Sequence, residues 1–309
     1  LHSFPTRRSS DLFNPVFLPF DYLCEDGEGD PNQSLTFPAL LSFKFDFAPD
    51  NFSARHPGFI FRRDADALKL KSTDHQGIAA YIKAWTATHG VAGELIETKT
   101  GYKGALMVFD DEGEKIFQKK YETPVPYFTL MGRMVQDWLF FREVEFSPGL
   151  AQELVRPMTT EMETVRWYGE TFNVEWRSQD EWDIYERILE RDPLFGEVQF
   201  WYANQRGWET GDQKWTQVEK GKSLLGHIVI PAIWEFYPKE CPEESLIANY
   251  KKAIDYAREV MPEDPRIING LLDIEGESFT VEQLISLTDL AARYPRYHPL
   301  LSKLAQKFE

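Results

Sequence analysis

Cysteine is scarce in this sequence: Cys24 and Cys241 are the only two among 309 residues. They lie far apart in the chain, so the fold does not rest on a framework of disulfides. Long apolar runs are lacking too. A membrane-spanning helix needs about 18 or more consecutive apolar residues, and the best apolar run, GHIVIPAIWEFY, is interrupted by Pro231. We expect no membrane segment in this chain.

Basic residues are few compared with acidic ones. The sequence has 34 Lys and Arg against 50 Asp and Glu, which gives a net charge of −16. A surface this acidic repels phosphate backbones, and nucleic acid is therefore excluded as a partner. A protein or peptide fits this charge better, and the same charge favours a basic one.

Sequence motifs of catalysis, cofactor binding and metal binding are missing. Gly221-Lys222-Ser223 resembles the end of a phosphate-binding loop, but Thr216 stands where that loop requires glycine. The six histidines form no His-x-x-x-His pair and no spacing with cysteine that surrounds a metal. No Gly-x-Ser-x-Gly elbow occurs. We therefore predict no catalytic residue, no cofactor and no metal.

The first twelve residues, LHSFPTRRSSDL, are not typical of the start of a protein. They have no apolar run after Arg7-Arg8, so they are not a signal peptide. Codon by codon they can be back-translated into a sequence that resembles a sequencing-library adapter. We interpret residues 1–12 as adapter-derived and disordered, with the gene beginning near Phe13 and any upstream segment lost.

Residues 13–123 alternate short strand-like and helical stretches in the order β-α-β-α-β-β-β, which predicts an α/β domain. NPVFLPFDYL is typical of a strand, and GFIFRR of a second one. VAGELIETKTG, YKGALMVFDDEG and KIFQKKYET indicate a three-stranded meander with turns at Thr100-Gly101 and at Asp111-Glu112-Gly113.

Two helices are predicted between these strands. LTFPALLSFKFDFA places four apolar residues on one helix face: Phe37, Leu40, Leu41 and Phe45. STDHQGIAAYIKAWTATHG predicts a helix with Ser72 or Thr73 as N-cap, a face of Ile78, Ile82 and Trp85, and Gly90 at its end.

Residues 124–309 change character and predict an all-α domain. PVPYF forms a stiff break, which places the domain boundary near Pro124–Pro126. DEWDIYERILERDP carries one apolar stripe, and YKKAIDYAREVMPEDP and LISLTDLAARYP repeat that pattern. The stripe of the first segment consists of Trp182, Tyr185, Ile188 and Leu189. Asp180, Glu181 and Asp183 at its start are interpreted as solvated capping residues.

These patterns resemble two known families. VFLPFDYL, and the stretch from IAAYIKAW to FQKKY, resemble the TolB amino-terminal-like domain over residues 14–123. Residues 124–309 are similar to degenerate tetratricopeptide repeats: Ala203, Ala253, Ala257 and Pro265 stand where that repeat has small residues and its closing proline. The resemblance implies a bacterial protein, in the cytoplasm slightly more than the periplasm, whose output domain would lie upstream.

Tryptophan and tyrosine are concentrated in the second half, where they either fill a helical core or line a peptide-binding groove. For the groove we select Trp201, Tyr202 and Trp208, which lie within one stretch of eight residues. The sequence thus predicts a non-catalytic protein–protein interaction or scaffold module, the sensory or interaction part of a longer protein. The alternative is a carbohydrate-active hydrolase with paired carboxylates in an aromatic cleft.

Overall fold

A mixed sheet of five strands with five helices makes up the described part of the chain. The computed structural model describes residues 15–45 except 28, 70–142, 156–159 and 161–198 except 177, 194 and 196, together with 202, 281, 284, 285 and 288. The strands are β1 (Pro15–Phe17), β2 (Asp21–Cys24), β3 (His89–Thr98), β4 (Gly101–Asp110) and β5 (Lys115–Val125). The helices are α1 (Gln33–Phe45), α2 (His75–Ala84), α3 (Tyr127–Phe141), α4 (Met162–Glu170) and α5 (Gln179–Arg191).

The centre of the sheet is β3, which pairs with strands of both directions. β1 and β2 both lie parallel to it, with Val16 opposite Gly90 and Cys24 opposite Glu97. β4 and β5 follow as an antiparallel meander. The meander predicted from the sequence is confirmed, and so is an α/β arrangement for this part of the chain. The predicted strand GFIFRR and residues 1–12 lie outside the described residues.

Helices pack on both faces of the sheet. Successive strand residues point to opposite faces, so each strand contributes side chains to both packing layers. On one face, Phe17 contacts Phe45 of α1, and Phe45 contacts Trp138 of α3, with ring centroids 5.2 and 4.8 Å apart. On the other face, Val16 packs with Ile78 and Ile82 of α2. The apolar face predicted for α1 is confirmed, since Phe37, Leu40, Leu41 and Phe45 are all fully buried.

Proline inside α1 links this helix to the sheet. Pro38 has no N–H to donate, so the carbonyl oxygen of Ser34, four residues earlier, is left without its helical partner. The backbone N–H of Phe20 donates to that oxygen at 2.9 Å. Phe20 stands between β1 and β2, where the predicted single strand is divided in two.

The N-cap of α2 is Asp74, whose side chain accepts a hydrogen bond from the backbone N–H of Gly77 at 2.9 Å. The prediction of Ser72 or Thr73 as N-cap was wrong. Ser72 donates instead, from its hydroxyl and its backbone N–H, to Asp21 at the start of β2. Gly90 does not end the helix either, because it lies within β3.

Replacing Asp74 with alanine is expected to destabilise the protein by about 1 kcal/mol, because the first turn of α2 loses its cap. Thr73→Ala is the matched control: Thr73 is exposed and neighbours the cap, and its replacement should change the free energy of unfolding by less than about 0.5 kcal/mol. Urea unfolding followed by circular dichroism measures both. Equal losses for the two variants would contradict the assignment of Asp74 as the cap.

The chain continues to pack against the sheet beyond Pro126. Tyr121 of β5 donates its hydroxyl to Asp137 of α3 at 2.9 Å, and the rings of Phe117 and Phe141 lie 4.7 Å apart. The helix after the predicted boundary at Pro124–Pro126 thus shares a core with the meander. Whether the chain unfolds as one unit or two stays a prediction.

Beyond α3, α4 packs on α1 and α5 packs on α4. Gly169 of α4 approaches α1 so closely that a Cβ there would meet the Thr36 hydroxyl. The apolar stripe predicted for α5 is confirmed, since Trp182, Tyr185, Ile188 and Leu189 are all buried. Arg187 of α5 pairs with Glu170 of α4 at 2.5 Å.

The remaining helices predicted in the second half fall mostly outside the described residues. Leu284, Ile285 and Thr288, from the segment LISLTDLAARYP, are helical. No described helix is long and apolar enough to cross a membrane.

Within the described strands, β5 pairs with β4 alone. Its side chains Lys115, Lys119 and Lys120 are exposed. The pairing with β4 shifts register twice, between Tyr102 and Gly104 and between Val108 and Phe109.

Candidate functional site

A group of polar side chains lies at the edge of the sheet where β2 and β3 end and β4 begins. Strand register brings it together: Cys24 is opposite Glu97 on one side, and Tyr102 is opposite Glu97 on the other. Tyr22, two residues before Cys24, points to the same side of the sheet. We call these four residues, Tyr22, Cys24, Glu97 and Tyr102, the Glu97 cluster. The carboxyl ends of parallel strands are a frequent location of binding sites.

One carboxylate lies beside two tyrosines in this cluster. Tyr22 donates its hydroxyl to Glu97 Oε2 at 2.5 Å, and Tyr102 stands opposite Glu97 on the neighbouring strand. All three side chains are partly exposed. The carboxylate is therefore held in place while one side of the cluster stays accessible to solvent.

The environment keeps both phenols protonated. Burial, followed by the nearby charge of Glu97, raises the pKa of Tyr102 to about 12. Burial, followed by the hydrogen bond to Glu97, raises the pKa of Tyr22 well above its usual range. At neutral pH both hydroxyls are hydrogen-bond donors, and neither is a phenolate nucleophile.

Neighbouring elements enclose the cluster. The ring of Tyr127, the first residue of α3, lies edge-on to Tyr102 with centroids 5.1 Å apart, and its hydroxyl donates to Gln33 at 2.8 Å. The loop after β2 passes over Tyr22, because a Cβ at Gly29 would overlap the Tyr22 hydroxyl and the Cys24 side chain. From α4, the exposed Arg166 lowers the pKa of Tyr102, but this effect is smaller than that of Glu97.

Cys24 adds a free thiol to the cluster. It is partly exposed. Cys241 lies outside the described residues.

Pairs of tyrosine and carboxylate recur elsewhere, within α5 and between α4 or α5 and the residues that follow α5. Tyr185 donates to Glu181 at 2.9 Å, Tyr202 donates to Glu186 at 2.7 Å, and Tyr168 donates to Glu197. Glu181 is fully buried, so the prediction that it is a solvated cap was wrong for its side chain. Its backbone N–H is nevertheless bonded to the hydroxyl of Ser178, the N-cap of α5.

Of the predicted groove residues, Tyr202 is described. It is 6% exposed, and its ring packs edge-on against Trp182 with centroids 6.2 Å apart. Tyr202 is thus part of the packing around α5 in this structure. Trp201 and Trp208 lie outside the described residues, and a groove in that segment stays a prediction.

The Glu97 cluster was not predicted from the sequence, although β3 carries one signal for it. Val91, Gly93, Leu95 and Glu97 share one side of β3, so a carboxylate follows three buried residues on a face that points into the protein. A charged residue at such a position needs partners. The partners themselves depend on strand register, which the sequence does not show.

Among the described residues, no group of three or more His, Cys, Asp or Glu side chains could hold a metal ion. The Glu97 cluster therefore offers one carboxylate, two phenols and one thiol as its chemistry. A scan against protein-family models and searches of curated proteins and of solved structures found no match to this chain. The resemblances to the TolB amino-terminal-like domain and to tetratricopeptide repeats therefore stay predictions.

Proposed function

We propose that this chain is a non-catalytic protein–protein interaction or scaffold module that binds a basic protein or peptide. In this proposal an α/β domain similar to the TolB amino-terminal-like domain is followed by tetratricopeptide-like helical repeats. The net charge of −16 favours a basic partner, because complementary charge speeds encounter and disfavours acidic competitors.

One observation carries this proposal: a partly exposed carboxylate, Glu97, lies beside two tyrosines, and the Tyr22 hydroxyl holds it in place. Carboxylates and tyrosine faces both attract cations. Tyr22 is a neutral donor, so it orients the negative charge without cancelling it.

A hydrolase is the second candidate, because the same cluster offers a carboxylate beside aromatic rings. Most glycosidases need two carboxyl groups that face each other about 5–10 Å apart across the scissile bond. The Glu97 cluster holds a single carboxyl group, that of Glu97. The chemistry of the cluster thus favours binding over hydrolysis.

Fluorescence anisotropy with the full 309-residue chain tests the proposal. The probes are labelled peptides of repeated Lys-Gly, Glu-Gly and Ser-Gly. We expect the lysine peptide alone to bind, with an affinity that falls as salt rises from about 50 to about 500 mM, since screening weakens exposed charge pairs. Equal binding of all three peptides, or no binding, would overturn the proposal. Turnover of chromogenic glycosides would favour the hydrolase.

The predicted groove in the second half calls for a separate variant. Trp208→Ala should leave the melting temperature nearly unchanged and weaken capture of the lysine peptide if Trp208 is a surface anchor. If Trp208 is a core residue, the same change should destabilise the protein by about 3–5 kcal/mol. A stable variant with unaltered binding would remove Trp208 from the proposal.

A further inference from the structure

We infer that the Glu97 cluster is the site for a primary ammonium group, such as a lysine side chain of the partner, which ion-pairs with Glu97 between the rings of Tyr22 and Tyr102. This inference rests on the proposed function and assigns it a location. It also names the chemistry of the contact, which the proposed function leaves open.

Glu97 differs in its partners from two acidic residues of the neighbouring loop. Those two are already paired with lysines: Glu25 with Lys103 at 3.3 Å and Asp26 with Lys99 at 3.6 Å. Within the described ranges, the hydrogen-bond partner of Glu97 is the neutral hydroxyl of Tyr22. Its negative charge is therefore available to a cationic ligand.

Glu97 keeps unused hydrogen-bonding capacity. A carboxylate accepts about four hydrogen bonds, and the Tyr22 hydroxyl donates one of them. An ammonium group brings three donors and a compact charge. It matches the remaining acceptor positions, whereas an acidic or neutral ligand would leave the charge of Glu97 unpaired.

The tyrosines of the site are held by their neighbours. Tyr102 packs edge-on against Tyr127 at an interplanar angle of 79°, and Tyr22 is fixed by its hydrogen bond and by the loop at Gly29. The faces of tyrosine rings attract cations. The rings are positioned before any ligand arrives, which lowers the entropic cost of binding.

The positive charge of Arg166 disfavours a cation at this site. Removing that charge therefore tests the expected direction of the electrostatic effect. Arg166 is exposed on α4, and its charge acts on Tyr102 more weakly than the charge of Glu97 does. An ammonium group bound at the cluster would be repelled by Arg166, which weakens its binding. Removing the Arg166 charge should strengthen the binding of an ammonium group.

The experiment measures the affinity of the full chain for the labelled Lys-Gly peptide in charge-matched pairs of variants. Glu97→Gln is compared with Glu112→Gln, and Arg166→Gln with Lys115→Gln. Glu112 and Lys115 are exposed around the β4–β5 turn, at the opposite end of β4 from Tyr102. Each pair changes the net charge equally, so a difference within a pair reports position and not total charge.

We expect Glu97→Gln to weaken binding by about tenfold and Glu112→Gln by less than about twofold, because charge-assisted hydrogen bonds require the carboxylate. Arg166→Gln should tighten binding by about twofold, and Lys115→Gln should have a smaller effect. Replacing the lysines of the probe with acetyl-lysine should abolish binding.

Cys24 supplies an independent measurement, since it lies beside Glu97 across the strand pair. The bound peptide should slow alkylation of Cys24 in the unmodified chain, as followed by mass spectrometry of the fragment that contains it. If Glu97→Gln fails to fold, this protection and the Arg166→Gln result decide the matter.

The outcomes separate the two proposals. If the unmodified chain binds the lysine peptide, but the members of each pair behave alike and Cys24 is not protected, the site lies elsewhere and the proposed function stands. If the unmodified chain does not bind the lysine peptide, both proposals are wrong.

Discussion

Replacing Trp138 with alanine is expected to destabilise the protein by about 3–5 kcal/mol, a large part of the 5–15 kcal/mol that typically separates folded from unfolded domains. Trp138 is fully buried on α3. Its ring packs edge-on against Phe45 of α1, whose ring in turn contacts Phe17 of β1. Removing the indole would open a cavity where two helices and the sheet meet. Urea unfolding followed by circular dichroism measures the loss.

The matched control stands two residues away on the same helix. Phe140 is 82% exposed, so Phe140→Ala removes an aromatic ring without opening a cavity. We expect it to change the free energy of unfolding by less than about 0.5 kcal/mol. Similar losses for Trp138→Ala and Phe140→Ala would show that α3 does not pack against the sheet as described.

The second large effect is expected from Gly93→Ala, which adds one methyl group at the middle of β3. A Cβ at this position would overlap the ring of Phe20 and the backbone carbonyl oxygen of Ala105 on β4. A ring can move, but a carbonyl in the sheet cannot move without breaking strand pairing. The cost should therefore reach the upper end of the range of about 1–3 kcal/mol for overpacking, which corresponds to a fall in Tm of about 6–12 °C.

Gly27→Ala separates this steric cost from the conformational cost of replacing glycine. Gly27 has φ of 77°, but nothing lies within 4 Å of a Cβ built there. Its replacement should cost about 1 kcal/mol from backbone strain alone. Differential scanning calorimetry compares the two variants. If Gly93→Ala is no more destabilising than Gly27→Ala, the close approach of β4 at Gly93 is incorrect.

The sequence was most informative where a pattern is local. The buried face of α1, the stripe of α5 and the meander were all predicted correctly, because each depends on spacing within a few turns or on turn residues between adjacent strands. The N-cap of α2 was not predicted correctly. Ser72, Thr73 and Asp74 can all cap a helix, and the choice is made by Asp21, 51 residues away, which takes the Ser72 hydroxyl.

The Glu97 cluster could not be predicted for a related reason. Tyr22 and Glu97 are 75 residues apart, and they meet because β2 lies parallel to β3 in one register. A shift of one residue would turn Tyr22 and Cys24 to the opposite face. The sequence places a carboxylate on an inward face of β3, but it does not show which tyrosine binds it.

The exposed lysines of β5 have a consequence for molecules that meet in concentrated solution. A strand that ends a sheet presents N–H and C=O groups to which a strand of another molecule can add, and this is a common start of aggregation. Lys115, Lys119 and Lys120 would repel the same strand of a second molecule, and Pro124 has no N–H to offer it. The two register shifts also distort the strand. The described end of this sheet is thus protected against growth into larger intermolecular sheets.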